Sequence, residues 1–168
     1  MSCTSHRPEA ALRILIIDDH EDAADSLSML CRVQGHEVRT AYRGTTGLEL
    51  FRQFQPDAIL CDLRMPEMSG FEVARRVRAT SASPAPLLVA VSGYGSDAHR
   101  AASSAAGFDH HFTKPVDPGA LFGLLRETPT QAPRDSAARH GGMSSDAGPR
   151  DARLANEADS PSSEDCGA

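Results

Sequence analysis

The sequence predicts an α/β fold, a parallel β-sheet with helices on both faces, and three observations carry that expectation. Short aliphatic runs alternate with segments of helical periodicity five times in succession. Neighbouring parallel strands need crossover connections, and strand–helix units supply them. Chemistry-bearing residues also follow alternate runs: Asp18-Asp19 the first, Asp62 the third and Lys114-Pro115 the fifth. In open sheets of this kind the ligand crevice lies beyond the carboxyl ends of the strands.

Leu12 to Ile17, aliphatic except for Arg13, is expected to be a strand buried on both faces. Ala23, Ala24, Leu27, Leu30 and Cys31 then repeat at helical spacing up to Gly35. His36 to Ala41 alternates loosely and reads as a weaker strand towards an edge. Gly47, Leu50, Phe51 and Phe54 share one helical face, closed by Pro56, and Asp57 to Cys61 is the third strand. Ser69-Gly70-Phe71-Glu72 has the spacing of a capping box, in which side chain and backbone satisfy each other's orphan donors. Gly70, Val73, Ala74 and Val77 form the buried stripe of that third helix. Leu87 to Val91 is the fourth strand, followed by Ser92. The helix from Ser96 to Ala106 rests on alanine content alone, so it should be the least stable. Phe108 to Thr113 is the fifth strand. Asp117-Pro118 supplies an N-cap and a first-turn proline for a last helix carrying Leu121, Phe122, Leu124 and Leu125.

The domain therefore spans residues 12–127. Residues 1–11 are expected to be flexible and 128–168 a disordered tail, because Ala, Ser, Gly, Pro, Asp and Arg dominate there and little apolar surface offsets chain entropy. Net charge is −6, and the first 127 residues mix 13 basic with 16 acidic groups, which argues against a broad nucleic-acid surface. No run approaches the roughly 20 apolar residues of a membrane span, and Met1 to Ala11 lacks the apolar core of a signal peptide. Cys3, Cys31, Cys61 and Cys166 share no metal-ligand spacing and read as reduced thiols. A cytoplasmic protein is expected.

Lys114 is the only lysine of the chain, every other cation being arginine. An ammonium is a compact point charge suited to meeting one anion, whereas guanidinium is a planar fork. Two adjacent carboxylates facing a third would repel one another unless a cation neutralised them. Mg²⁺ favours few carboxylates, several waters and a phosphate oxygen, a set that a substrate completes. Asp62 opens Asp62-Leu63-Arg64-Met65-Pro66 and is the candidate nucleophile, since aspartate can form an acyl phosphate. The hydroxyl of Ser92 stands where it can donate to a phosphoryl oxygen.

In this order and on these elements, the acidic pair, Asp62 with Met65-Pro66 and Gly70, Ser92 and Lys114-Pro115 resemble the receiver domain of two-component response regulators. The resemblance covers roughly Arg13 to Arg126. It implies a flavodoxin-like (βα)5 sheet with strand order 2-1-3-4-5 and Asp62 as phosphoacceptor. It implies Mg²⁺ held by Asp19, Asp62 and the backbone carbonyl of Arg64, with Asp18 acting mostly through water. Ser92 and Lys114 would contact the phosphoryl group, and the Lys114-Pro115 bond would be cis. The family often has an aromatic switch residue three before the lysine, coupled to the Ser/Thr; here that position is His111. The run Gly107-Phe108-Asp109-His110-His111-Phe112 is similar to receivers associated with hybrid sensor histidine kinases. His110 and His111, adjacent on a strand, point to opposite faces and do not suit a shared Zn²⁺.

The implied function is a single-domain response regulator in a phosphorelay. It would take a phosphoryl group from a sensor histidine kinase or a histidine phosphotransfer protein and present a switched face to a downstream protein, with no nucleic acid or membrane partner. Arg64 and Tyr94, both bulky, would flank the attacking water and slow self-hydrolysis. Two other readings stand beside this one. A receiver-like interaction module that is not phosphorylated would bind without chemistry. An aspartyl-phosphate hydrolase of the haloacid-dehalogenase type would carry a second aspartate two after the nucleophile, where this chain has Arg64.

Overall fold

The computed structural model describes residues 11–81, 84–93 and 95–130. Strands and helices alternate throughout: β1 Arg13–Ile17, α1 Glu21–Val33, β2 Glu37–Ala41, α2 Gly44–Phe54, β3 Ala58–Asp62, α3 Gly70–Thr80, β4 Leu87–Ser92, α4 Asp97–Ala106, β5 His110–Thr113 and α5 Pro118–Arg126. The strands form one parallel sheet in the order β2-β1-β3-β4-β5, the expected flavodoxin-like arrangement. The expected flexible N-terminus lies outside the described residues except for Ala11, and the expected tail does so from residue 131 on.

Side-chain alternation divides the core into two layers. Leu15, Ile17, Ile59, Cys61, Leu88 and Ala90 face α2, α3 and α4, where Leu48, Phe54, Val73, Val77 and Ala106 meet them. Ile14, Ile16, Leu60, Val89 and Val91 face α1 and α5, packing on Ala24, Cys31, Leu121 and Leu125. Each aliphatic side chain buried this way stabilises the fold by about 1.5–3 kcal/mol relative to exposure. The outer strands are less covered. β2 alternates between exposed and buried positions, and none of the four residues of β5 is fully buried.

Three local expectations changed on folding. Asp57 does not open β3. Its carboxylate turns back to accept the N–H of Arg13 at 2.7 Å, and the guanidinium of Arg13 stands 3.6 Å from it. Strand β5 begins at His110 rather than Phe108. The capping box forms only in half: Ser69 Oγ accepts the N–H of Glu72 at 3.4 Å, but the Glu72 carboxylate pairs with Arg76 one turn on. Asp117 caps α5 as expected, accepting from Gly119 and Ala120.

Register aligns the strand ends that matter. Ile17 pairs with Cys61, so Asp18 and Asp62 leave the sheet side by side. Ser92 pairs with Thr113, so Lys114 emerges beside Ser92, whose carbonyl accepts the Lys114 N–H at 2.8 Å. Gly70 lets α3 approach this edge closely. A Cβ there would stand 2.1 Å from the Asp62 carbonyl oxygen, so any larger residue would push the helix away.

Candidate functional site

Lys114 Nζ lies 2.6 Å from Asp18 Oδ2 and 2.9 Å from Asp62 Oδ1, joining two carboxylates that belong to different strands. The other oxygens also have donors. Arg64 donates its N–H to Asp62 Oδ2 at 2.7 Å, and His20 donates its N–H to Asp18 Oδ1 at 3.0 Å. Asp18 and Asp62 are buried, at 5% and 7% exposure, and so is Ser92. Burial alone would lower the pKa of the ammonium. The hydrogen bonds and negative charge of Asp18 and Asp62 outweigh it and raise that pKa above the ordinary 10.5. Lys114 therefore stays protonated wherever the protein is folded near neutral pH.

Asp19 completes an uncompensated cluster. Its Oδ1 is buried and accepts no hydrogen bond. The closest basic group is the ring of His20, whose Nδ1 is 3.4 Å from Asp19 Oδ1 and 3.6 Å from Asp18 Oδ1. An orphaned buried carboxylate oxygen is costly unless something else meets it. Three aspartates facing one ammonium leave net negative charge, and oxygen donors of this kind suit a hard divalent cation. The residues therefore fit Mg²⁺. Among the described residues, the one group of three metal-capable side chains is Asp18, Asp19 and His20; Asp62, drawn to Lys114, is not part of it. His20 escaped the reading of the sequence, although its place directly after the acidic pair was the available signal.

His20, Asp62, Arg64, Ser92 and Lys114 line an open cleft of about 280 Å³. Arg64 is exposed at its mouth, while Tyr94 lies outside the described residues. The Lys114–Pro115 peptide is cis. Cys61, directly beneath, is no competing nucleophile: burial first, then the charges of Asp62 and Asp18, pushes its thiol far up.

A larger cleft opens at the opposite, amino-terminal end of the sheet, near Asp57, Arg78 and Asp109. Both of its aspartates already have arginine partners. Arg78 reaches Asp109 Oδ2 at 2.6 Å and the carbonyls of Gly107 and Pro86 at 2.9 Å each. The size of that cleft reflects the segments that line it, whereas the aspartate–lysine cluster sits at the other end.

His111 connects β5 to α4. Its Nδ1 is 3.0 Å from Ser103 Oγ, and Ser103 in turn donates to the His99 carbonyl at 2.8 Å. A hydroxyl has one proton, so with that donor spent Ser103 accepts from a protonated Nδ1. His110 is exposed and does not share this environment.

Comparisons with known proteins agree with this fold. Residues 14–126 match the family model of the response regulator receiver domain. An uncharacterised 14.6 kDa protein of Leptolyngbya boryana is 32% identical, with 76% of this chain and 97% of that protein covered. The virulence sensor protein BvgS of Bordetella pertussis is 32% identical over 78% of this chain, but only 11% of BvgS is spanned. In the crystal structure of the chemotaxis protein CheY4 of Vibrio cholerae, the match has a TM-score of 0.66 at 27% identity, covering 71% of this chain and 100% of CheY4. Fold, strand order and family match coincide, and the chain belongs to the response regulator receiver domain family.

Proposed function

We propose that this receiver accepts a phosphoryl group on Asp62 from a histidine phosphodonor and turns that event into a change of its α4-β5-α5 face. The observation that carries the reading is the single ammonium of Lys114 bridging Asp18 and Asp62 in a cleft that Ser92 also lines. A carboxylate oxygen of Asp62 attacks phosphorus as the P–N bond of the phosphohistidine breaks. The donor imidazole keeps the electron pair and takes up a proton, leaving an acyl phosphate. The protein's part is positioning and charge neutralisation.

Lys114 then meets a phosphoryl oxygen as well as Asp18, and the Ser92 hydroxyl donates to another. Asp18, Asp19, Asp62 and the Arg64 carbonyl would hold Mg²⁺, which when bound offsets the charge of the phosphoryl oxygens. Arg64, at the mouth of the cleft, crowds the approach of water and slows hydrolysis. As Ser92 and Lys114 move inward, His111 changes rotamer and loosens its hold on Ser103, shifting α4. The partners of this reading are a sensor histidine kinase or histidine phosphotransfer protein and a downstream protein target. No helix among the described residues is long and apolar enough to cross a membrane, and a cytoplasmic site of action belongs to the proposal. Residues 12–127 form its functional unit.

Acetyl phosphate with Mg²⁺ tests it. The wild type should gain an acid-labile, hydroxylamine-sensitive phosphoryl group and Asp62→Asn should gain none. Failure of the wild type to react would favour an interaction module that binds without phosphate.

A further inference from the structure

We propose that His20 sets which divalent cation this site prefers, drawing it from Mg²⁺ towards imidazole-binding ions of the first transition row. The inference rests on the reading of the acidic cluster as a metal site and assigns a specificity-determining residue within it.

His20 Nδ1 closes a triangle with Asp18 Oδ1 and Asp19 Oδ1, at 3.6 and 3.4 Å. Donors about 2.1 Å from a small divalent ion stand about 3.0 Å apart in an octahedron and about 3.4 Å apart in a tetrahedron. The three side chains offer ligand atoms within 4.8 Å of one another, near enough for small rotations to bring them onto one ion. One of them, Asp19 Oδ1, is buried with its hydrogen-bonding capacity unused. The other carboxylate oxygen of Asp18 is held by Lys114 and leaves Oδ1 on the His20 side.

His20 has no competing task in the helix it begins. It occupies the N-cap of α1 without a side-chain capping bond, and its ring is 74% exposed at the rim of the cleft. An all-oxygen set favours Mg²⁺, Ca²⁺ and Mn²⁺, whereas replacing one oxygen with imidazole favours ions later in the series. The same backbone with a side chain lacking imidazole would lose this bias while keeping its aspartates.

Calorimetric titration of the full chain with Mg²⁺ and separately with Co²⁺ tests this, with the visible absorption of Co²⁺ as a second readout. In His20→Ala the Co²⁺ affinity should fall by about tenfold, the scale on which ligand-shell changes act, while Mg²⁺ affinity holds. The Co²⁺ spectrum should shift as a nitrogen donor is lost. His20→Asn, which strengthens the helix cap, should behave alike and so separates the effect from any change in folding. Unchanged Co²⁺ affinity, or equal weakening of both ions, would overturn the proposal. Asp19→Asn is the control for the underlying reading: if it weakens neither ion, the cluster is not a metal site at all.

Discussion

Two ionic clusters sit at opposite ends of the same sheet, and they differ in whether their charges close. At the amino-terminal end Asp57 meets Arg13, and Asp109 accepts from both Arg78 and the N–H of Leu88. Arg78 also clamps the carbonyls of Gly107 and Pro86, so one fork ties α3 to the segments before β4 and β5. Each of these two aspartates has its own arginine there. At the carboxyl-terminal end Asp18 and Asp62 share one ammonium, and a buried oxygen of Asp19 accepts no hydrogen bond. Matched charges hold a structure together, whereas unmatched ones in a cleft are held ready for something that arrives. The comparison teaches that size of cleft is a poor guide and imbalance of charge a better one.

The largest contrast should come from one substitution at each end. Asp62→Asn should abolish phosphoryl labelling and leave the fold intact. Arg78→Ala should lower stability by about 2–4 kcal/mol, the scale of losing charge-assisted bonds to partly buried partners, while labelling survives at temperatures where the variant is folded. Chemical denaturation beside an acetyl phosphate assay separates the two, and loss of labelling in folded Arg78→Ala would erase the distinction.

Lys114→Ala sharpens the comparison from the other side. Removing the ammonium leaves Asp18 and Asp62 more negative, so Mg²⁺ should bind more tightly, by about tenfold for a relieved repulsion of about 1–2 kcal/mol. Phosphoryl acceptance should nonetheless slow. Calorimetry showing weaker Mg²⁺ binding would mean that Lys114 builds the cation site rather than competing with it.

Smaller effects follow further from the cluster. Ser103→Ala removes one hydrogen-bond partner of His111 and should cost about 1 kcal/mol, read as faster amide exchange confined to α4. Exchange unchanged in α4 would show that this helix is anchored elsewhere. Alkaline pH gives the smallest signal. Burial pushes the Cys31 thiol up from 9.0 to about 11, so the folded state holds that proton more tightly than the unfolded chain. Its contribution is complete below pH 9 and is lost as pH rises towards about 11. Urea titrations across that window should show falling stability, with a shallower fall in Cys31→Ala.

The fold was legible because its signals are local. Short continuous aliphatic runs, helical stripes between them and Asp117-Pro118 at a helix start each declare themselves within a few residues. Asp18, Asp62, Ser92 and Lys114 were legible as a group because a parallel sheet brings its carboxyl ends to one edge, as the pairing of Ile17 with Cys61 and of Ser92 with Thr113 does. What escaped depends on rotamers and distant partners. Asp57 reads as strand until Arg13 takes its carboxylate, and Glu72 reads as a cap until Arg76 does. Arg78 looks like any surface cation of an amphipathic helix, because nothing in its neighbourhood along the chain announces Asp109.

The central claim is that the unbalanced edge takes a phosphoryl group on one particular carboxylate. Reaction of the full chain with phosphoramidate, a small P–N donor, and Mg²⁺, followed by mass-spectrometric mapping of the modified peptide, asks that directly. The account predicts a single phosphoryl group on Asp62; its appearance on His110, His111 or either residue of the Asp18-Asp19 pair would contradict it.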